Sequence, residues 1–431
     1  MAAPLGRDFH RFWAAAAVSN LGDGIRFVAL PLLALRLTDD ARLVALVSAS
    51  ILLPWLVFGP IGGALADRVD RRRLMLTGHL GRAVAVGGLA VAVALDQASI
   101  PMLVAAAIVL GIGELLADSS AHAAVPQLVE DHQLERANGR LIATVTVCDQ
   151  LVGPMVGAAV FVVAASGPFA IDAVSFLLAA ILLSTVRRPL QGPRSGPSEP
   201  FRDALVGGFR FVAGNPLLRG LAIVTPMNNF GINVSFGVLV ILIRTELDAS
   251  EQAFGVILAL AAGGGVLGSM AAPRLVDRFG RTKVMMVAPV TFVAAYLILA
   301  AAPSPWIAAA GLLVAHLGIV GFNIPARSLR QSITPDDVLG RVTAVFQTVG
   351  YSAGMAGALL GGLITEATSA KTANLTAAGI GLVAWALLAL TVARHLDAAA
   401  PTEPAAVDLR SGSPRPAKGS LEESGVAEAT T

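Results

Sequence analysis

The chain has 431 residues, of which 55% are hydrophobic and only 14% charged, against roughly 25% charged in ordinary soluble domains. With a mean hydropathy of +0.73 it reads as an all-α integral membrane protein of many helices, which excludes a soluble globular enzyme. The net charge of +2 and the pI near 9.0 do not point to nucleic acid, because the basic residues fall in loops between apolar stretches and form no cationic face.

A helix that crosses a bilayer needs about 20 mainly apolar residues. On that ruler the first half predicts six spans, at residues 12–37, 43–66, 74–95, 101–125, 141–164 and 169–186. The polar, basic opening leads into an apolar stretch too long for a cleaved signal peptide and is read as the approach to the first span. Arg187-Arg188-Pro189 and the Pro-, Gly- and Ser-rich residues after it read as a linker. Over 201–214, Phe201, Leu205, Phe209 and Val212 alternate with Arg202, Asp203 and Arg210, the spacing of a helix lying flat on a membrane surface. Six further spans are predicted at 217–243, 253–276, 284–302, 306–325, 342–365 and 375–394. The expected domains are a six-helix bundle over 1–186, a linker with its surface helix over 187–214, a second six-helix bundle over 215–395, and a disordered tail over 396–431.

The arginines sort the loops into two sets. One carries Arg7, Arg11, Arg68, Arg71 to Arg73, Arg136, Arg140, the linker arginines, Arg274 to Lys283, Arg327 and Arg330; the other carries only Arg36, Arg42, Arg244 and Lys371. Both termini and the basic loops are therefore expected in the cytoplasm. Lysine is rare while arginine and alanine abound, a bias that suggests GC-rich coding DNA and a bacterial source. The single cysteine, Cys148, lies in an apolar segment and rules out an internal disulfide.

A basic turn after the second span, from Gly63 through Asp67, Arg68 and Asp70 to Arg71, Arg72 and Arg73, recurs after the eighth as Asp277-Arg278-Phe279-Gly280-Arg281. Gly153-Pro154-Met155-Val156-Gly157-Ala158 in the fifth span is matched by Gly357-Ala358-Leu359-Leu360-Gly361-Gly362 in the eleventh. Arg36-Leu37-Thr38 likewise matches Arg244-Thr245-Glu246. The halves repeat each other.

Gly63-x-x-x-Asp67-Arg68-x-x-Arg71-Arg72 resembles the loop signature of the major facilitator superfamily, with Asp70 in place of its glycine. The second copy keeps Gly280 but has Pro273 where the leading glycine would stand. Asn20-Leu21-Gly22-Asp23, Gly113-Glu114-Leu115-Leu116-Ala117-Asp118, Phe169-Ala170-Ile171-Asp172-Ala173-Val174-Ser175-Phe176 and Gly208-Phe209-Arg210-Phe211 are similar to the macrolide-efflux and enterobactin-exporter branch of proton-coupled exporters. The resemblance implies twelve membrane helices in two six-helix bundles that rock about a central site. It implies export of a small compound against protons, and a chain that works as a monomer. It also implies that Asp67 faces the start of the eleventh helix, as part of a cytoplasmic gate built from Gly63, Asp67, Arg68, Arg71 and Arg72 with Asp277, Arg278, Gly280 and Arg281. Arg71 or Arg72 is then expected to reach Asp118 or Glu130. Gly153, Pro154 and Gly157 resemble the latter part of the antiporter signature of drug exporters, and small residues at this spacing let helices approach closely.

Charge inside a bilayer costs at least ~2.5–3.5 kcal/mol on insertion scales and persists where it faces water or a partner. Asp23 and Arg26 sit one turn apart in the first span, and Glu114, Asp118 and His122 form one stripe on the fourth. With Asp149 of the fifth they are candidates for proton coupling or substrate contact. The competing reading is mutual neutralisation for Asp23 and Arg26, local satisfaction for Glu114 and Asp118, and a helix contact for Asp149. His122 is expected at the surface or a gate, and Asp172 at a helix cap or outer gate. In the second half, Asn228, Asn229 and Asn233, among Pro226 and Gly231, suggest a broken helix lining a substrate cavity, joined by Gln347 and Tyr351; the alternative is that they bind helices together. The expected partners are a small-molecule substrate, protons and the lipid bilayer. No phosphate-binding loop and no metal-ligand spacing is present, so no cofactor, metal or catalytic residue is expected. An importer of the same fold and a non-transporting membrane sensor are the rival functions.

Overall fold

The computed structural model describes residues 5–58, 69–130, 133–191 and 201–393. Gly63, Asp67 and Arg68 of the first basic turn lie outside the described residues, as do most of the linker, the side chain of His122 and the expected tail. Among the described residues, twelve helices are long and apolar enough to cross a membrane, and there is no strand. In order the spans are Arg7–Leu37, Ala41–Phe58, Arg71–Ala94, Ile100–Leu128, a composite fifth described below, Gly167–Ser184, Pro216–Glu246, Glu251–Phe279, Arg281–Ala301, Pro305–Ser332, Asp336–Ala367 and Ala370–Thr391. The amphipathic segment forms a helix, Phe201–Gly214, as its spacing predicted.

Polar residues start these helices by taking up the first free backbone N–H groups. Asp40 caps the second span, Asn215 the seventh, Ser250 the eighth, Ser304 the tenth and Ser369 the twelfth. The two basic turns differ for a backbone reason. Gly280 sits at φ +84°, a left-handed conformation that favours glycine. Asp70, at φ −56°, needs no glycine and accepts the Arg73 N–H at 2.9 Å as an N-cap.

Interruptions fall where proline or local geometry puts them. The second span turns at Ile51 and Leu52, just before Pro54, whose ring cannot continue the hydrogen-bond ladder. The fifth span runs as Leu134–Thr144, widens into a π-helix at Val145–Val152, and resumes at Gly153–Val163 with Pro154 in its first turn. The seventh corrects the sequence reading: Pro216–Phe236 is one continuous helix through Pro226 and Gly231, and the break comes later, at Gly237 and Val238.

The repeat is visible in the packing. Gly153 and Gly157 of the fifth span press on the backbone of Gly24 and Ile25 in the first, and Gly357 and Gly361 of the eleventh press on Phe230 and Val234 in the seventh. At each of these four sites an added Cβ would meet main-chain atoms, which cannot rotate away. Gly157→Val is therefore expected to lower stability by about 1–3 kcal/mol, as overpacking does, with Gly361→Val matching it. Melting of both purified variants checks this, and unchanged transitions would refute the close approach.

Spans one to six form one bundle and seven to twelve the other. They meet through the second span against the eleventh and the fifth against the eighth. Gly362 lies against Ala41, Arg42 and Ala45, and Gly255 against Ala158 and Pro154. All of these contacts lie toward the end of the molecule opposite the basic turns, here called the far end.

Candidate functional site

A cavity of about 450 Å³ runs down the first bundle, from Arg26 and Glu114 at mid-depth to Phe12, Met75 and Val125 nearer the basic end. Six of its wall residues were expected from sequence: Asp23, Arg26, Glu114, Asp118, Asp149 and Tyr351. From the second bundle the wall receives Tyr351, whose ring stacks on Trp55 of the second span with centroids 5.0 Å apart.

A buried ion network is built into the cavity wall. Arg26, 3% exposed, donates from Nη2 to Asp23 at 2.7 Å and from Nε to Asp172 at 2.9 Å. Arg82 of the third span donates to the same Asp23 oxygen and lies over the Phe176 ring, 4.0 Å from its centroid. Its aliphatic stem passes across Gly113, where a Cβ would collide with it. The Ser175 hydroxyl donates to the Asp172 carbonyl at 2.8 Å and approaches its carboxylate at 3.3 Å. Desolvating ions is costly and is offset only when each has several good partners; here both guanidiniums are held by carboxylates and a ring.

Sequence reasoning missed three members of this network. Asp172 was expected at a cap or outer gate, yet its side chain is fully buried and paired with Arg26. Arg82 and His79 stand one turn apart in the third span, and the signal for them was present: ionisable residues inside an apolar run. Their partners lie on other helices, Asp23 for Arg82 and the Phe176 ring for His79.

Glu114, Asp118 and Asp149 differ from Asp23 and Asp172. Among the described residues they make no hydrogen bond and no ion pair, although all three line the cavity. Asp118 is exposed to the cavity, and the charges acting on it are Arg82 and Asp23 rather than the basic turn. Asp149 sits in the π-helical turn, with its main chain against Gly24 and its side chain in the cavity wall, so the helix contact and the cavity position coexist. Arg71 donates to the Leu190 carbonyl at 3.2 Å and Arg72 to the Arg188 carbonyl at 3.0 Å, tying the turn to the chain after the sixth span.

The asparagines do not line the cavity. Asn229 lies beside Gly350, Asn233 beside Gly354, and the Asn233 amide donates to the Asn229 carbonyl at 2.9 Å. Both side chains pack on the eleventh span, while the hydrogen bond stays within the seventh. Asn228 is buried with neither amide atom hydrogen-bonded among the described residues, and Gln347 is exposed outside the cavity wall.

At the far end the bundles are latched. Arg36 of the first span donates from Nη2 to both oxygens of Glu251 in the eighth, at 2.8 and 3.0 Å, while its guanidinium covers the Phe161 ring at 4.3 Å. Glu366 of the eleventh accepts the Ala41 N–H at 2.8 Å, at the positive end of the second span's helix dipole. The cavity is thus shut toward the far end while its walls continue toward the basic end.

A major facilitator family model, described as a transmembrane secretion effector, matches residues 1–409. The chain belongs to the major facilitator superfamily. Among curated relatives, this facilitator is 27% identical over 371 residues to the multidrug efflux pump Tap of Mycolicibacterium fortuitum, covering 82% of the chain and 88% of the pump. It is 27% identical over 347 residues to the enterobactin exporter EntS of Salmonella typhi, covering 78% and 80%. Its fold matches a bacterial homologue of the iron transporter ferroportin in an inward-facing state, with a TM-score of 0.73 over 90% of this chain and 100% of that one, at 17% identity. The branch that the residues resembled is the branch these exporters represent.

In this facilitator the Arg36–Glu251 pair is half in solvent, at 45% and 13% side-chain exposure, so its loss is expected to cost little stability. Its expected effect is on state: Arg36→Glu should raise far-side labelling of a cysteine placed in the cavity, and adding Glu251→Arg should lower it again. Equal labelling in all three proteins would remove the latch.

Proposed function

We propose that this transporter is a proton-coupled exporter, an antiporter that moves a small hydrophobic compound out across the bacterial cytoplasmic membrane. The observation that carries this reading is the trio of unpaired carboxyls, Glu114, Asp118 and Asp149, in one cavity beside a compensated network of Asp23, Arg26, Arg82 and Asp172. The network fixes two negative and two positive charges in place. The trio is left free to exchange protons with whichever side the cavity meets. One charge moved across the membrane is worth ~2.3 kcal/mol per 100 mV, enough to drive a useful gradient.

The arginine distribution supports cytoplasmic termini and a cavity that, in this state, faces the cytoplasm. The efflux relatives support outward flux. One cavity served by both bundles of a single chain supports function as a monomer. The basic turns, with Arg71, Arg72, Asp277, Arg278, Gly280 and Arg281, act in this reading as a cytoplasmic gate, not as a substrate site.

The test is transport in everted membrane vesicles. With the lumen acidified, vesicles containing the protein should accumulate a hydrophobic dye, and a protonophore should release it. Accumulation driven only when the gradient is reversed would make the protein an importer. Dye retention that ignores the gradient would remove the coupling.

A further inference from the structure

A second, smaller cavity, of about 310 Å³, lies at the basic end of the first bundle and shares no residue with the one described above. It is walled by Gly6, Arg7, Asp8 and Arg11 at the start of the first span, by Leu128 at the end of the fourth, and by Arg187 and Arg188 just after the sixth. Four guanidiniums thus gather around one carboxylate. Positive charge on a loop is enough to set topology and gives no reason to draw arginines from distant segments around a hollow.

The one carboxylate is already used. Asp8 accepts the Arg188 backbone N–H at 2.9 Å and Arg11 Nη1 at 3.2 Å, pinning the chain after the sixth span to the first. Arg11 also donates to the Thr185 carbonyl at 2.9 Å, and Arg188 Nη1 to the Leu128 carbonyl at 3.2 Å. The guanidiniums of Arg7 and Arg187 are exposed and make no hydrogen bond or ion pair among the described residues. The wall therefore carries three positive charges more than Asp8 can balance. Below it, the sixth span runs up to this end with Ile171, Val174, Leu178 and Ile181 exposed at three- and four-residue spacing, one apolar face turned outward.

We propose that this pocket holds the phosphate of an anionic phospholipid, gripped by Arg7 and Arg187 with Arg11 and Arg188 beside them, its acyl chains lying along the exposed face of the sixth span. A guanidinium presents parallel N–H donors that match phosphate oxygens, which a point charge does not. Basic pockets between membrane helices are suited to anionic headgroups. The first span also starts at Gly6 with no side chain capping its first N–H groups, which adds to the positive field. Bound there, the lipid bridges the start of the first span and the segment after the sixth. The site is independent of the transported compound and of its direction of travel.

Native mass spectrometry of the full chain in detergent micelles, titrated with phosphatidylglycerol or phosphatidylcholine of identical acyl chains, reads the binding. The first phosphatidylglycerol is expected to bind at least about tenfold tighter than phosphatidylcholine. Arg7→Gln/Arg187→Gln should weaken it at least about fivefold, whereas Arg210→Gln/Arg274→Gln, which removes the same charge from exposed arginines elsewhere, should leave it unchanged. Melting in detergent without lipid separates lost binding from lost folding. If Arg7→Gln/Arg187→Gln melts below the parent protein, Arg7→Lys/Arg187→Lys takes its place; it keeps the charge, loses the forked donors, and should weaken binding about threefold. Equal affinity for the two lipids, unchanged phosphatidylglycerol affinity in the folded pocket variant, or an equal loss in the Arg210→Gln/Arg274→Gln control would each overturn the proposal. Displacement of the lipid by millimolar inorganic phosphate would overturn it too, by making this a site for the free anion.

Discussion

Arg26→Leu is expected to cost about 3–5 kcal/mol of stability, the range seen when one partner of a buried ion pair is removed. The reason is Asp172, which has no exposed side-chain surface and would keep only the Ser175 hydroxyl as a near partner. Asp23 suffers less, because Arg82 still holds it. Replacing both partners with apolar residues of similar volume is often neutral, so Arg26→Met/Asp172→Leu should recover most of the loss. Arg26→Lys should fall between, since one compact ammonium replaces the two separate nitrogens, Nε and Nη2, with which arginine spans Asp172 and Asp23. Melting of the four purified proteins checks the order. If Arg26→Leu melts with the parent protein, the network is not structural.

Glu114→Gln should have the opposite profile: a fold left intact and coupling lost. Glu114 makes no hydrogen bond or ion pair among the described residues, so the amide disturbs no partner. In the proposed mechanism it removes a group that takes up and releases a proton, and gradient-driven accumulation should drop by at least about 100-fold, roughly 2.7 kcal/mol of driving. Exchange of labelled for unlabelled substrate across the membrane, which needs no net proton movement, should persist. Asp149→Asn tests the same idea where the main chain also packs against Gly24. Because the carboxyl and not the main chain is changed, its melting should also match the parent protein. A variant that accumulates substrate normally acquits its residue.

Most of the fold could be read in the chain, because a bilayer imposes one dominant constraint: an apolar run of sufficient length. All twelve spans follow from that alone, and the helix at 201–214 from the spacing of its apolar face. The glycine repeat was readable for a similar reason, since a missing side chain at fixed spacing has few uses in a membrane helix. The site was only half readable. Asp23, Arg26, Glu114, Asp118 and Asp149 betray themselves as charges in apolar runs, and they do converge. Depth estimated along the sequence, however, does not say which helix lies opposite. Asp172 seemed peripheral because it is early in its span, yet Arg26 reaches it from a helix 146 residues earlier. The asparagines of the seventh span carried the reverse error. Pro226 and Gly231 suggested a broken, water-lined helix, whereas the helix continues, and Asn229 and Asn233 pack beside glycines of the eleventh span.

The placement of every acidic and basic wall residue on the first bundle has a kinetic consequence for the proposed antiporter. As the bundles rock, Glu114, Asp118 and Asp149 travel together on one piece of the protein, and among the described residues no Lys or Arg of the other bundle lines the cavity with them. Loaded with protons, that piece crosses its occluded state close to electrically neutral. Empty and deprotonated, it would have to be sealed from water with up to three bare carboxylates, and the barrier rises accordingly. The unloaded carrier is thereby held where it stands. Tight coupling would then need no separate lock, because the return journey is open only to a carrier that has taken on a counter-charge.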